Sequence, residues 1–386
     1  MPKVYYITRS YTHNNSSGGA LMREGAVKQF IEHGYEIEIL SYASEPFSKN
    51  IHSGKATLTC FDNGRLPDKP KLIFQRLGIF EDYLINWSKQ VVSYLCGKVN
   101  ENDILFCTSG GDLASLMVGY RVKETCICKL VINFRDPISY STFNGYKLDS
   151  KFHVSRDKLL IKYTGNCNLI VTSCNSYKEY LEGVVGGSVK IVNNYFGYIS
   201  KSSQYLDFSK ASINKEEIKF IYGGTLGSYQ GPNYVNSLFS PLRHVSLDIY
   251  GHNINSASDF NNVNFYSSVG RGDYLIAATS KYQGGVVSLI NDYFGACIPS
   301  KIYEYINLGL PIFGILPDGE AKNIINENGY GVVVSPNQLD DLRMVLDSLY
   351  INSDDLMNFN RNILRDRNSW SMEHNFGLLL GELNEL

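Results

Sequence analysis

The residues best placed to do chemistry stand close together: Ser300, Lys301 and Glu304. If Ser300 opens a helix, its hydroxyl and the Lys301 ammonium join the free N–H groups of the first turn. Such a helix start attracts a phosphate group. Glu304 follows one turn later on the same face as Lys301. A carboxylate there can accept two hydroxyl hydrogen bonds, as a ribose would offer. The chemistry is that of a nucleoside diphosphate site. The same spacing also suits a capped helix whose Lys301–Glu304 pair is a solvated ion pair.

The surrounding residues must hold that helix in place. Pro299 suits a first turn, where a missing N–H costs nothing. Gly309 suits the left-handed position past a helix end, and Pro311 blocks continuation. Ile302, Tyr305, Ile306 and Leu308 make the expected buried stripe. The apolar run 312–315 then reads as a strand.

Elsewhere the chain alternates strand and helix signals. Residues 3–8 read as a strand, 9–19 as a polar loop ending in Gly18-Gly19, 20–33 as a helix stopped by Gly34, and 35–40 as a second strand. This is a βαβ unit, whose ligands bind at the carboxyl ends of the strands. Further strands are expected at 103–107, 129–134, 169–172 and 189–193. Residues 71–95 read as one or two amphipathic helices. Their stripe is either core or, with Arg76 and Lys89 beside Phe74, Phe80 and Trp87, a surface resting on a bilayer.

Residues 200–217 are polar and read as a linker. A second series starts at 218–222 and meets the glycine-rich turn Gly223-Gly224-Thr225-Leu-Gly227-Ser228-Tyr-Gln-Gly231 before a helix at 233. Strands are expected at 245–251, 263–266, 285–290, 312–315 and 331–334, a helix over 338–350, and a last helix over 370–386.

Pro299-Ser-Lys-Ile-Tyr-Glu304-Tyr, Gly309-Leu-Pro311, Gly319-Glu320 and Gly329-Tyr-Gly331 together resemble the donor-binding motif of GT-B glycosyltransferases. The likeness is to retaining glycosyltransferase family 4, in the branch that builds bacterial surface polysaccharides. Arg135-Asp136-Pro137 is similar to an Arg-Asp-x-Trp-Pro element of that branch, without its tryptophan.

The resemblance implies an α/β GT-B fold: two Rossmann-like doubly wound domains facing a cleft. The boundaries expected are 1–199 for an acceptor-side domain, 200–217 for a linker, 218–368 for a nucleotide-sugar domain, and 369–386 for a helix crossing back to the first. It implies that Glu304 binds the donor ribose, and casts Glu304, Lys301, Arg135 and Asp136 as catalytic. Ser300, Lys301, Arg271, Gly224, Thr225 and Ser228 would surround the diphosphate. Gly18 and Gly19, with Arg135 and Asp136, would meet the donor sugar or the acceptor.

Two departures stand out. The glycine-rich turn has Ser228 and Gln230 where the family often has Arg and Lys, which leaves Lys301 and Arg271 to neutralise the phosphates. The family's first acidic residue falls on Ala296, and Asp292 is the nearby carboxylate able to substitute.

The implied activity is metal-independent hexosyl transfer with retention, using a nucleotide sugar as co-substrate and no other cofactor. The acceptor would be a saccharide or a polyprenyl-diphosphate-linked saccharide, in capsule, O-antigen or exopolysaccharide assembly. Two alternatives share the motif. One is a nucleotide-sugar 2-epimerase using Asp112 and Asp136. The other is a non-catalytic glycosyltransferase-like partner subunit.

Composition sets the outer limits. The 386 residues suffice for two domains. The net charge of −2 offers no bulk attraction to nucleic acid. Residues 1–200 hold 23 basic and 18 acidic residues, net +5, against 13 and 20, net −7, in the rest. A basic first half fits an anionic partner or an inner-leaflet surface. The eight cysteines form no CxxC and no zinc spacing, as in a reduced cytoplasmic protein. The short apolar run at 4–8 is not a signal peptide, and no run approaches a membrane span.

Overall fold

A computed structural model describes residues 2–12, 18–138, 150–187, 189–210, 213, 217–251 and 262–386. The chain forms two compact units. The first comprises residues 1–195 and 376–386, the second residues 196–375.

In the first unit β1 (Lys3–Thr8), α1 (Gly18–Glu32) and β2 (Glu36–Tyr42) form the expected βαβ unit, with β1 and β2 parallel. They are followed by β3 (Phe47–Ile51), β4 (Ala56–Phe61), α2 (Asp68–Arg76), α3 (Ile85–Leu95), β5 (Ile104–Gly110) and α4 (Ala114–Thr125). The series continues with β6 (Lys129–Asp136), α5 (Ser150–Thr164), β7 (Leu169–Thr172), α6 (Asn175–Val185) and β8 (Lys190–Asn193). The sheet order is β3-β4-β2-β1-β5-β6-β7-β8. Every pairing is parallel except β3–β4 at one edge, an antiparallel pair that the sequence reading did not foresee.

The central strands β1, β5 and β6 are buried on both faces, which is why they read as unbroken apolar runs. Residues 71–95 contain parts of two helices, and their apolar stripe divides between them. Trp87, Val91 and Leu95 of α3 are core, whereas Ile73 of α2, with Leu77 and Ile79 after it, is exposed. Trp87 is therefore not part of an interfacial surface.

The second unit contains β9 (Ile218–Gly223), α7 (Pro232–Phe239), β10 (Val245–Gly251), β11 (Val263–Ser267), α8 (Arg271–Lys281), β12 (Gly284–Ser288), α9 (Ser300–Leu308) and β13 (Ile312–Ile315). It closes with α10 (Glu320–Glu327), β14 (Gly331–Val334), α11 (Leu339–Ile351) and α12 (Asp354–Asp366). Its sheet is wholly parallel, in the order β11-β10-β9-β12-β13-β14. The stretch read as a linker over 200–217 belongs to this unit. Its Leu206 and Phe208 are buried, and Leu206 N–H donates to Leu308 O at 2.7 Å.

The last helix, α13 (Met372–Asn384), begins two residues later than the sequence suggests, because Trp370 closes a 3-10 turn. From Phe376 on it belongs to the first unit. There Phe376 meets Phe30 edge-to-face with centroids 4.8 Å apart, and Leu379 and Leu383 join the same core. No helix among the described residues is long and apolar enough to cross a membrane.

Candidate functional site

The candidate donor residues gather in the second unit, at the carboxyl ends of three strands. Gly224 follows β9, Arg271 opens α8 after β11, and Ser300, Lys301 and Glu304 occupy the first turns of α9 after β12.

The position of α9 is set by small and large residues in register. The Tyr305 ring lies where a Cβ on Gly285 would be, 2.6 Å away. Its buried hydroxyl is 3.2 Å from Ile221 O and 3.1 Å from Val286 O, so its single proton is shared between carbonyls of β9 and β12. At the other end Gly309 takes φ +69°, as its place after the helix demands. Asn360 of α12 donates to Gly309 O at 2.7 Å and to Leu206 O at 2.9 Å, while its Oδ1 accepts Phe208 N–H at 3.1 Å. Asn307 is clamped likewise. Its amide donates to Ser200 O at 2.9 Å, and its Oδ1 accepts Ser202 N–H at 3.0 Å and Arg367 Nη2 at 3.1 Å.

Lys301 does not pair with Glu304. The Lys301 ammonium lies 4.7 Å from the Tyr222 ring centroid and faces the bare Cα of Gly224, where a Cβ would sit 3.3 Å from Nζ. Gly224 holds φ +109°, so only a glycine leaves that approach open without strain. Among the described residues no carboxylate lies within ion-pair distance of this ammonium. Burial lowers the Lys301 pKa, and the charge of Glu304 opposes that shift.

Glu304 pairs with Arg271 instead, Oε1 to Nη2 at 3.0 Å. The solvated Lys301–Glu304 ion pair is therefore not formed. Arg271 and Glu304, expected on separate parts of the donor, meet each other directly.

The glycine-rich turn is braced from behind. Tyr222 donates to Thr225 O at 2.9 Å, Gly227 N–H to Gln230 Oε1 at 2.9 Å, and Ser288 Oγ to Gln230 O at 2.5 Å. Gly224, Thr225 and Ser228 remain exposed. Gln230 thus shapes the turn rather than facing a ligand. Asp292 sits exposed in the 3-10 turn Asp292–Phe294, and among the described residues its carboxylate is not bonded to Lys301 or Glu304. Gly285, Asn307 and Asn360 were missed in the sequence. Asn307 and Asn360 are isolated polar residues with no local signal, and only their burial marks them.

The first-unit residues gather by themselves. Gly18 and Gly19 open α1, and Arg135 and Asp136 end β6. A Cβ at Gly19 would lie 3.4 Å from Arg135 Nη1 and 3.7 Å from Arg23 Nη1, and one at Gly110 would collide with the Arg135 guanidinium. The salt bridge open to Arg135 and Asp136 is not made among the described residues. Asp112 is buried and accepts Gly110 N–H at 3.3 Å and Ser115 Oγ at 3.5 Å. The open depression lined by Pro2, Asn100, Asp103 and Lys129 lies at the amino ends of β1, β5 and β6, away from these residues.

No family model and no curated protein sequence matches the chain. Solved structures do. Sucrose-phosphate synthase from Thermosynechococcus elongatus superposes with TM-score 0.73 at 11% identity, covering 100% of both chains. HepE from Anabaena, in complex with UDP, gives 0.70 at 12%, again over 100% of both. The lipopolysaccharide outer core galactosyltransferase WaaB, in its apo form, gives 0.68 at 11% over 100% of both. The chain has the GT-B fold shared by these glycosyltransferases.

Proposed function

We propose that the chain is a glycosyltransferase that takes a sugar from a nucleotide-sugar donor held by its second unit. The observation that carries this reading is one cluster at three strand ends. It combines a half-buried ammonium without a carboxylate partner among the described residues, a glycine that leaves room beside it, and a carboxylate steered by an arginine. Lys301, Ser300 and the first-turn amides of α9 would take the diphosphate. Glu304 Oε2 would accept the ribose hydroxyls while Arg271 holds Oε1 and extends the positive surface. Thr225 and Ser228, exposed on the braced turn, would line the same phosphates. Asp292 is the carboxylate assigned to the donor sugar.

As the anomeric C–O bond breaks, its electron pair goes to the leaving diphosphate. Lys301 and Arg271 stabilise that charge, so no metal is required. The acceptor hydroxyl attacks the same face, its proton passes to a leaving-phosphate oxygen, and configuration is retained. HepE has been solved with UDP and glucose, which favours this class of donor.

The acceptor is proposed to be a saccharide or a lipid-linked saccharide of bacterial polysaccharide assembly, as WaaB's outer-core role illustrates. The exposed Ile73, Leu77 and Ile79 are where a cytoplasmic enzyme of this kind would touch a bilayer. The test is turnover of nucleotide sugars by the purified chain. Sugar release or transfer lost in Glu304→Ala supports the reading, and a chain that binds nucleotide without turnover is a non-catalytic subunit.

A further inference from the structure

Three arginines lie near one another in the first unit, apart from the diphosphate and ribose cluster proposed for the second. Arg9 follows β1, Arg23 lies on α1, and Arg135 ends β6. Only Arg135 is singled out by a sequence motif.

Arg23 is 9% exposed. The Nε atoms of Arg23 and Arg135 are buried without a hydrogen-bond partner, and among the described residues neither side chain has a carboxylate within ion-pair distance. Both guanidinium groups lie beside Gly19 at the start of α1, and the bare Gly110 leaves room for that of Arg135. Asp112 acts chiefly on Arg9 and raises its pKa. Burial, then the charges of Arg135 and Arg9, push Arg23 down to about 10. Asp112 and Asp82 act on Arg9, and Asp136 lies beside Arg135, but none of them is within ion-pair distance of Arg23 or Arg135. A buried Arg23 beside the half-buried Arg135 carries a cost that an anion would remove.

We infer that Arg23 and Arg135, with Arg9 behind them and the α1 N-terminus beside them, form an oxyanion subsite for the phosphate or diphosphate ester of the acceptor. The forked guanidinium suits bidentate contact with phosphate oxygens. This assignment rests on the transferase reading only in calling the ligand an acceptor. The anion subsite itself stands on the first unit alone.

The test is calorimetric titration with inorganic pyrophosphate. It compares the full chain, Lys301→Ala to blind the donor cluster, and Lys301→Ala combined with Arg23→Gln or Arg135→Gln. Binding should persist in Lys301→Ala. Either arginine substitution should then weaken it roughly tenfold to a hundredfold, the effect of losing one or two charge-assisted hydrogen bonds. Arg23→Gln should also leave the unliganded melting temperature unchanged or higher, because a buried like-charge contact is relieved. Arg135→Gln provides the same reading if Arg23→Gln does not fold.

Loss of pyrophosphate binding in Lys301→Ala alone, or its retention after both arginine substitutions, overturns the subsite. Farnesyl diphosphate and glucose 6-phosphate, titrated in the Lys301→Ala background, separate a carrier-lipid diphosphate from a sugar phosphate. Nucleotide binding that depends on Glu304 is scored separately, so the donor reading and the acceptor subsite fail independently.

Discussion

At the level of single residues, Glu304 and Lys301 carry the proposed donor site. The Arg271–Glu304 pair is partly exposed, with side-chain exposures of 43% and 20%, and so contributes at most about 1 kcal/mol to stability. Glu304→Ala should therefore leave folding nearly intact. It should lower transfer by on the order of a hundredfold or more, since hydrogen bonds to a charged group are worth about 1.5–3 kcal/mol each. Activity assays beside thermal melts check both halves of that statement.

Lys301 makes a pH prediction. Its folded pKa lies below the ordinary lysine value of 10.5, chiefly through burial. A depressed folded pKa means that the stability from this group is full above the unfolded value and lost as pH falls through the folded one. Protonated Lys301 thus costs the empty protein stability, and a bound diphosphate offsets that cost. Nucleoside diphosphate affinity should weaken as pH rises through the alkaline range, with proton uptake on binding. Lys301→Met should bind more weakly and lose that dependence, as titrations in buffers of different ionisation enthalpy would show.

At the scale of elements, α9 is the part to which the rest of the second unit is fitted. Its start faces the ligand, its Tyr305 bridges β9 and β12, and its end is clamped by Asn307 and Asn360. Asn360→Leu would strand two carbonyls and an N–H in the interior, a loss of about 3 kcal/mol. Gly309→Ala would force a Cβ onto Leu206 O at positive φ and cost about 1–3 kcal/mol. Denaturant unfolding of each variant measures these values.

Local chemistry made much of this element legible in advance. Pro299 and Gly309 bracket the helix, and the spacing of Ile302, Tyr305 and Ile306 gives its buried face. The carboxylate's partner was not legible. Arg271 lies 33 positions away from Glu304, and no periodic signal joins a residue after β11 to one in α9. Lys301 looked paired with Glu304 because they share a helix face. Burial against Tyr222 and Gly224 prevails over that proximity.

At the scale of the whole molecule, both sheets place their candidate residues at the carboxyl ends of strands, as parallel α/β sheets do. Strand–helix alternation foretold this for nearly every central strand, since those are buried runs. The edge pair β3–β4 escaped notice because its outer strand is largely exposed and polar. Arg23 escaped too, as one cation on an otherwise ordinary helix. The C-terminal helix was expected to return to the first domain, and its core contacts give that return weight. Removing residues 372–386 would strip Phe376, Leu379 and Leu383 from the first unit's core. At about 2–5 kcal/mol for each large side chain lost, the deletion exceeds the stability of a typical domain. The truncated chain should be insoluble or lack a cooperative first-unit transition by calorimetry.

The proposed function requires the second unit to hold a nucleotide through the Lys301–Glu304 helix start. A thermal-shift titration with UDP, GDP, CMP and dTDP, run on wild type and Glu304→Ala, tests it most directly. Ligand that binds only the folded state raises the melting temperature with concentration over Kd. One of these nucleotides should stabilise the wild type and lose most of that effect in Glu304→Ala. A nucleotide that stabilises both proteins equally, or the absence of any shift across the series, would contradict it.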